Sequence, residues 1–222
     1  MPKPYVPNDK WSQRAAKEGY RARSVYKLME LDERFGLLKP GMTVVDLGAA
    51  PGSWLQYASK IVGPTGAVYG FDLQEIKPIE YAAAGPEPSR RIKTFVMDIT
   101  DRFPIEDELR KAGVREVDLV LADMAPNTSG IKDMDQWKSI ELAQAALAIG
   151  KDLLKPNGKC VVKVFRGADF DEFFRNLKMD WQEPTIVEAE ASRDRSREVY
   201  VIVRKSFTRS FEDSCQDIRT SE

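Results

Sequence analysis

The chain alternates between two patterns. Short continuous runs of apolar, often β-branched residues occur at TVVDL (43–47), AVYGF (67–71), within RIKTFVM (91–97), at VDLVLA (117–122) and at KCVVKVF (159–165). Runs of this length, bounded by Gly, Pro and Asn, predict buried strands. Other segments place apolar residues at three- and four-residue steps. SVYKLMELDERF (24–35) puts Val25, Leu28, Leu31 and Phe35 on one helical face, with Ser24 as N-cap and Gly36 as the stop. Further helices are predicted over 53–62, ended by Gly63-Pro64, and over 105–113, 135–154 and 169–177. TIVEAE (185–190) and EVYVIVR (198–204) read as two last strands with no helix between them, hence an antiparallel hairpin. The alternation predicts an α/β fold with a doubly wound, mostly parallel seven-stranded sheet, an antiparallel edge and helices on both faces. With no repeat and no long linker, one domain is expected over 24–207. A basic extension (1–23) precedes it and an acidic, flexible tail (208–222) follows.

Composition narrows the chemistry more than the fold. At 42% apolar and 31% charged residues, the 222-residue chain is expected to fold as a soluble domain. No run is long enough to span a bilayer, and the start MPKPYVPNDKW lacks an apolar signal core, so a cytoplasmic protein is expected. Two cysteines make no disulfide framework. The absence of histidine excludes Ser-His and Cys-His catalysis and histidine-ligated zinc, and no acidic cluster has metal-ligand spacing. The net charge is only −1, but residues 1–29 carry seven cations against two anions, interleaved with Tyr5, Trp11, Tyr20 and Tyr26. Lys3, Lys10, Arg14, Lys17, Arg21 and Arg23 in that segment are candidates for phosphate contact. A plain solvated helix face is the alternative.

Two features stand out as chemistry. In VVDLGAAPGSW (44–54) a strand ends in an acid, a glycine-rich turn follows and a helix begins, the place where open α/β sheets bind ligands. The turn lacks the middle glycine of the dinucleotide fingerprint, which suits a ligand without a pyrophosphate, S-adenosylmethionine above all. Asp72 and Asp98 end the next two strands, so that Asp46, Asp72 and Asp98 form a series. Asp72 suits the ribose hydroxyls of an adenosine, in NAD as well as in S-adenosylmethionine, and Asp98 its amino group; acids that merely cap the following turns are the alternative. The second feature is Lys163, which interrupts the apolar run CVVKVF. An ammonium is rarely buried without a partner. Asp123 ends the preceding strand, Glu198 begins the last one, and Lys27 lies on the helix 24–35. The four either converge on a reactive site or form an ion-pair network that holds the sheet.

The segments RARSVYKLMELDERFGLLKPGMTVVDLGAAPGSW (21–54), ADMAPNTSG (122–130), CVVKVFRG (160–167) and SREVYVI (196–202) closely resemble the FtsJ-type family of RNA ribose 2′-O-methyltransferases, in its branch acting on bacterial large-subunit ribosomal RNA. The resemblance runs from about Trp11 to Arg204. It implies a Rossmann-like S-adenosylmethionine-dependent methyltransferase fold. It places the family's catalytic Lys-Asp-Lys-Glu set on Lys27, Asp123, Lys163 and Glu198, and its cofactor contacts on Gly52, Trp54, Asp72, Asp98 and Asp123. The implied substrate is a uridine in the aminoacyl-site loop of large-subunit rRNA, on an assembling subunit. The implied cofactor is S-adenosylmethionine, with no metal, no membrane partner and a monomeric enzyme. A tRNA or mRNA-cap methyltransferase and an RNA-binding assembly factor with dispensable catalysis are the alternatives. The chain departs from the family at Ser53, where glycine is frequent, in a longer stretch at 79–91, and in the acidic tail.

Overall fold

The computed structural model describes residues 9–79, 91–127, 129–192 and 197–206. The elements follow in order as α1 (Lys10–Lys17), α2 (Val25–Phe35), β1 (Thr43–Leu47), α3 (Ser53–Val62), β2 (Ala67–Asp72), β3 (Ile92–Val96), α4 (Arg102–Lys111), β4 (Val117–Ala122), α5 (Lys132–Leu153), β5 (Leu154–Phe165), α6 (Phe170–Asp180), β6 (Gln182–Val187) and β7 (Glu198–Arg204). The strands form one seven-stranded sheet in the order β3-β2-β1-β4-β5-β7-β6. The pairs from β3 through β5 are parallel, and β7 is antiparallel to both β5 and β6. The expected hairpin is present, with a refinement. Its second strand, β7, inserts beside β5, so the reversed strand is one in from the edge and β6 forms the border.

Alternation along each strand divides the core between the two faces of the sheet. Val44, Val68, Leu119, Leu121 and Val161 pack with Leu28 and Leu31 of α2 and Leu55 and Ala58 of α3. Val45, Tyr69, Val120, Cys160 and Val162 pack against Ile105 and Leu109 of α4, Ala143 and Ala146 of α5, and Phe173 of α6. Lys163 lies two residues beyond Val161, on the face that α2 covers.

Four local features depart from the pattern-based expectation. First, α1 was not legible, because its apolar stripe is short. It caps with the Asp9 side chain accepting from Ser12 N at 2.9 Å and buries Ala15. Trp11 packs on Tyr26 of α2 with ring centroids 5.2 Å apart, so residues 9–23 dock onto the domain. Second, Ser24 precedes α2 but makes no side-chain cap. Its hydroxyl lies 3.0 Å from that of Ser53 instead, tying α2 to α3. Third, β5 begins at Leu154 rather than 159. The Lys-Pro-Asn-Gly turn signal becomes an irregularity within the strand, with Asn157 at φ 64° and a register shift opposite Val117–Leu119. Fourth, β6 starts and ends three residues earlier than expected. Gly36 does stop α2, in left-handed conformation, donating to Asp32 O at 2.8 Å. Most of 79–91, the whole of the 208–222 tail and Lys3 lie outside the described residues.

Candidate active site

Because β1 to β5 run parallel, their carboxyl ends share one rim, and the acids that close them meet there. A cavity of about 790 Å³ opens on this rim, lined by Gly48, Ala50, Asp72, Asp98, Asp123 and Lys138, Glu141 and Leu142 of α5, among others. Asp72 ends β2 and is fixed on both oxygens, accepting from Ala50 N at 2.9 Å and Gln74 N at 2.8 Å. Asp98, two residues past β3, accepts from Thr100 N at 2.9 Å and Thr100 Oγ1 at 2.7 Å, which hold its carboxyl below the usual range. Gly48 has a φ of +73°, and a Cβ there would lie 2.2 Å from Met124 Cγ. The glycine thus lets the turn and Met124 form adjacent walls.

The remaining residues expected at the cofactor lie behind the wall. Gly52 starts α3 at φ 104°, packed against Ile76, Ile79 and Arg21. Trp54 is buried, its indole N–H donating to Ser24 O at 2.8 Å and its ring 6.0 Å from that of Tyr200. Neither residue is among those that line the cavity, which the turn reaches through Gly48 and Ala50. Asp46 lies deeper still. Burial first, then the negative charges of Asp123 and Asp72, push its carboxyl well above the usual range, and its Oδ2 has no hydrogen-bond partner.

Lys27, Asp123, Lys163 and Glu198 do converge, as two linked pairs. Lys163 is 7% exposed, so its amine depends on protein partners. It donates to Asp123 O at 2.7 Å and lies 3.0 Å from Asp123 Oδ1. Lys27 Nζ lies 2.5 Å from Glu198 Oε1, both largely buried. Burial opposes ionisation of Asp123, but the charges of Lys163 and Lys27 and the hydrogen bonds outweigh it and hold its pKa below the usual value. Glu198 is likewise lowered, burial being overcome by Lys27, Ser192 and Lys163. The cluster therefore presents two ionised carboxylates interleaved with two amines, and Asp123 joins it to the cavity.

Pattern reading missed two members of this cluster. Tyr200 is fully buried and donates to Asp123 Oδ1 at 2.7 Å. Ser192 donates to Glu198 Oε1 at 2.6 Å. Tyr200 faces Lys163 in register across the β5–β7 pair, a signal that appears only once that pairing is known. The basic N-terminal segment also divides. Arg21 donates to the carbonyls of Pro51, Lys77 and Pro78, bracing the turn beside the cavity. Arg23 pairs with Asp9 and donates to Ala191 O, and Arg14 pairs with Glu18 at 2.7 Å. Lys10 and Lys17 remain exposed.

A seven-stranded sheet with β7 inserted, a ligand cavity at the carboxyl ends and a charged cluster beside it defines a class of group-transfer enzyme on a Rossmann-like scaffold. Residues 20–206 match the model of the FtsJ-like methyltransferase family, and the chain belongs to it. It is 43% identical over 194 residues, 87% of this chain and 88% of the relative, to a protein of Desulfatibacillum aliphaticivorans named Ribosomal RNA large subunit methyltransferase E. A protein of Acinetobacter baumannii with the same name is 45% identical over 196 residues, 88% of this chain and 86% of the relative. The crystal structure of a chain described as a ribosomal RNA methyltransferase from Plasmodium falciparum superposes with a TM-score of 0.70 at 24% identity, covering 86% of this chain and all of that one, which shows a shared fold. The expected family, fold class and methyltransferase activity are thereby borne out.

Proposed function

We propose that this protein transfers the methyl group of S-adenosylmethionine to the 2′-hydroxyl of a ribose in RNA, a uridine in the aminoacyl-site loop of large-subunit rRNA on the assembling cytoplasmic subunit. The observation that carries this reading is the Lys163 amine, buried on a strand and held by Asp123, which itself lines a nucleoside-sized cavity. The names of the relatives support the RNA substrate.

The donor set fits the cofactor. The cavity volume lies in the range of small-molecule sites. Asp72 at one strand end suits ribose hydroxyls, and Asp98 at the next suits an adenine amino group. Asp123 borders both the cavity and the amine cluster, and the start of α3 behind Gly48–Gly52 offers backbone N–H groups to a carboxylate. Bound there, the cofactor supplies a methyl group already activated on a sulfonium.

The chain's own residues then position and deprotonate the acceptor. A lysine amine has three positions for hydrogens or partners. Asp123 takes two of those on Lys163, and the third is left for the ribose hydroxyl. Having released one proton to solvent before the acceptor binds, the Lys163 amine orients that oxygen and takes its proton on the freed lone pair. Asp123, fixed by Tyr200, holds Lys163 in place. Lys27 and Glu198 flank the ribose and balance the charge. Alignment in this cluster is the main source of rate.

The test is methyl transfer from labelled S-adenosylmethionine to large ribosomal subunits that lack the modification, with nucleotide mapping of the product. A methylated ribose at one uridine is expected. Cofactor binding without transfer to these subunits, with transfer to tRNA or capped RNA instead, would overturn the substrate assignment.

A further inference from the structure

A second cleft, of about 270 Å³, lies at the same rim on the α5 side, lined by Lys132, Asp135, Gln136, Phe165, Arg166 and Arg197. It adjoins the acceptor cluster through the backbone. Phe165 pairs in register with Glu198, and Arg197 precedes Glu198 directly. Its charge is cationic in effect. The one acid, Asp135, accepts from Ser129 N at 2.6 Å, Ser129 Oγ at 2.8 Å and Gly130 N at 3.1 Å, so it serves the loop before α5. Arg166 makes a loose, half-exposed ion pair of 3.5 Å with Glu188 and lies 5.7 Å over the Phe170 ring. Lys132 and Arg197 make no ion pair among the described residues.

Gln136 supplies an independent observation. It is 2% exposed, it lines this cleft, and both its amide nitrogen and its amide oxygen are buried without a partner. A buried amide with neither group satisfied is unfavourable unless a ligand completes it. Gly167 makes room for it, since a Cβ there would lie 2.6 Å from Gln136 Cγ. The next residue, Trp137, is 52% exposed, with Ile131 and Met134 exposed beside it on the first turns of α5. Lys138, one residue further, lines the cofactor cavity. In sequence Trp137 lies between a residue of each opening. An exposed indole among cations is the arrangement that binds single-stranded nucleic acid, by base stacking with phosphate contact.

We propose that this cleft and Trp137 form a subsite for the RNA strand adjoining the methylated nucleotide. Lys132, Arg166 and Arg197 take a backbone phosphate, the Gln136 amide donates to a phosphate or ribose oxygen, and Trp137 stacks on a neighbouring base. The inference rests on the RNA methyltransferase reading and adds to it where the strand is gripped.

The test uses unmethylated large ribosomal subunits as substrate, with steady-state kinetics for Gln136→Leu, Trp137→Ala, Trp137→Tyr, Lys132→Ala and Arg197→Ala. The expected result for Gln136→Leu and Trp137→Ala is a rise in KM for the subunit of about tenfold, roughly one good stacking or polar contact, with kcat and S-adenosylmethionine affinity close to wild type. Trp137→Tyr should recover most of the loss, which a folding defect would not. Lys132→Ala and Arg197→Ala should each reduce the slope of log affinity against log salt by about 0.7–0.9. Ultraviolet cross-linking of the wild-type enzyme should join the Trp137 peptide to rRNA. Wild-type KM and salt slope in all variants, or a cross-link to a ribosomal protein, would overturn the subsite while leaving the methyltransferase reading intact. No transfer by the wild-type enzyme would overturn both.

Discussion

Lys163 and Tyr200 face each other across the β5–β7 pair and end on the same atom, Asp123 Oδ1, at 3.0 Å and 2.7 Å. The carboxylate is thus held from two strands, and the lysine it positions cannot swing without breaking a buried hydrogen bond. Removing the phenol hydroxyl should loosen this arrangement without emptying the core. Tyr200→Phe is expected to lower kcat by about tenfold or more, in line with about 1.5–3 kcal/mol for a hydrogen bond to a charged group. S-adenosylmethionine affinity, measured by calorimetry, should change little.

The Lys27–Glu198 pair is largely buried, so breaking it from one side should cost more than a surface pair. Lys27→Met removes the cation that faces the buried Glu198 carboxylate and is expected to destabilise the fold by about 3 kcal/mol. Lys27→Met combined with Glu198→Gln should recover part of that loss. A double-mutant cycle in urea measures the coupling.

Asp123 and Glu198 are held below the usual carboxylate range, so their contribution to stability has a definite sign. It is present in full above the unfolded-state values near about 4 and is lost as pH falls through the lowered folded values. Chemical denaturation from pH 7 down to pH 3 should show this loss, and it should be blunted in the Lys27→Met, Glu198→Gln double variant. Between pH 5 and 8 neither carboxyl contributes an inflection to the rate.

Asp46 has the opposite sign. Burial and the nearby Asp123 and Asp72 raise it, so the folded state keeps a proton that the unfolded chain releases, and stability falls as pH rises above the ordinary carboxylate value. Asp46→Asn should match the wild type near pH 4 and exceed it in thermal stability at pH 8, which a melting series across that range measures.

Gly48 links a backbone requirement to ligand space. An alanine there meets both the left-handed φ of +73° and Met124 Cγ at 2.2 Å. Strain of about 1–2 kcal/mol is expected from the backbone. The larger effect should fall on the cofactor, since Met124 must move into the cavity wall. Gly48→Ala is expected to weaken S-adenosylmethionine binding by at least tenfold while lowering Tm by only a few degrees.

The strands β1, β2, β4 and β5 were legible because each contains a short apolar run, and the helix over 53–62 because Gly63-Pro64 ends it. Of the series Asp46, Asp72 and Asp98, the last two line one cavity with Asp123 because strand ends in a parallel sheet share a rim, whereas Asp46 is buried short of it. Other features depend on tertiary contacts that no local pattern carries. The helix α1 is held by Trp11 on Tyr26 and by Asp9 with Arg23. Tyr200 looks like any core residue of a strand until β7 is known to pair with β5. Arg21 reads as a free cation, yet three carbonyls occupy its guanidinium. The lysine inside an apolar strand was the most informative residue in the chain, because its burial demanded partners that the fold then supplied.

The central claim is that the Lys163 amine handles the ribose hydroxyl. Single-turnover methyl transfer to unmethylated large subunits, with saturating labelled S-adenosylmethionine, compares the wild type with Lys163→Ala and Lys163→Met. A rate loss of at least about a hundredfold, as expected for a positioned acid–base group, with cofactor and subunit binding retained, is the predicted result. Transfer at the wild-type rate in either variant would contradict the account and leave Lys163 as an ion-pair partner of Asp123 alone.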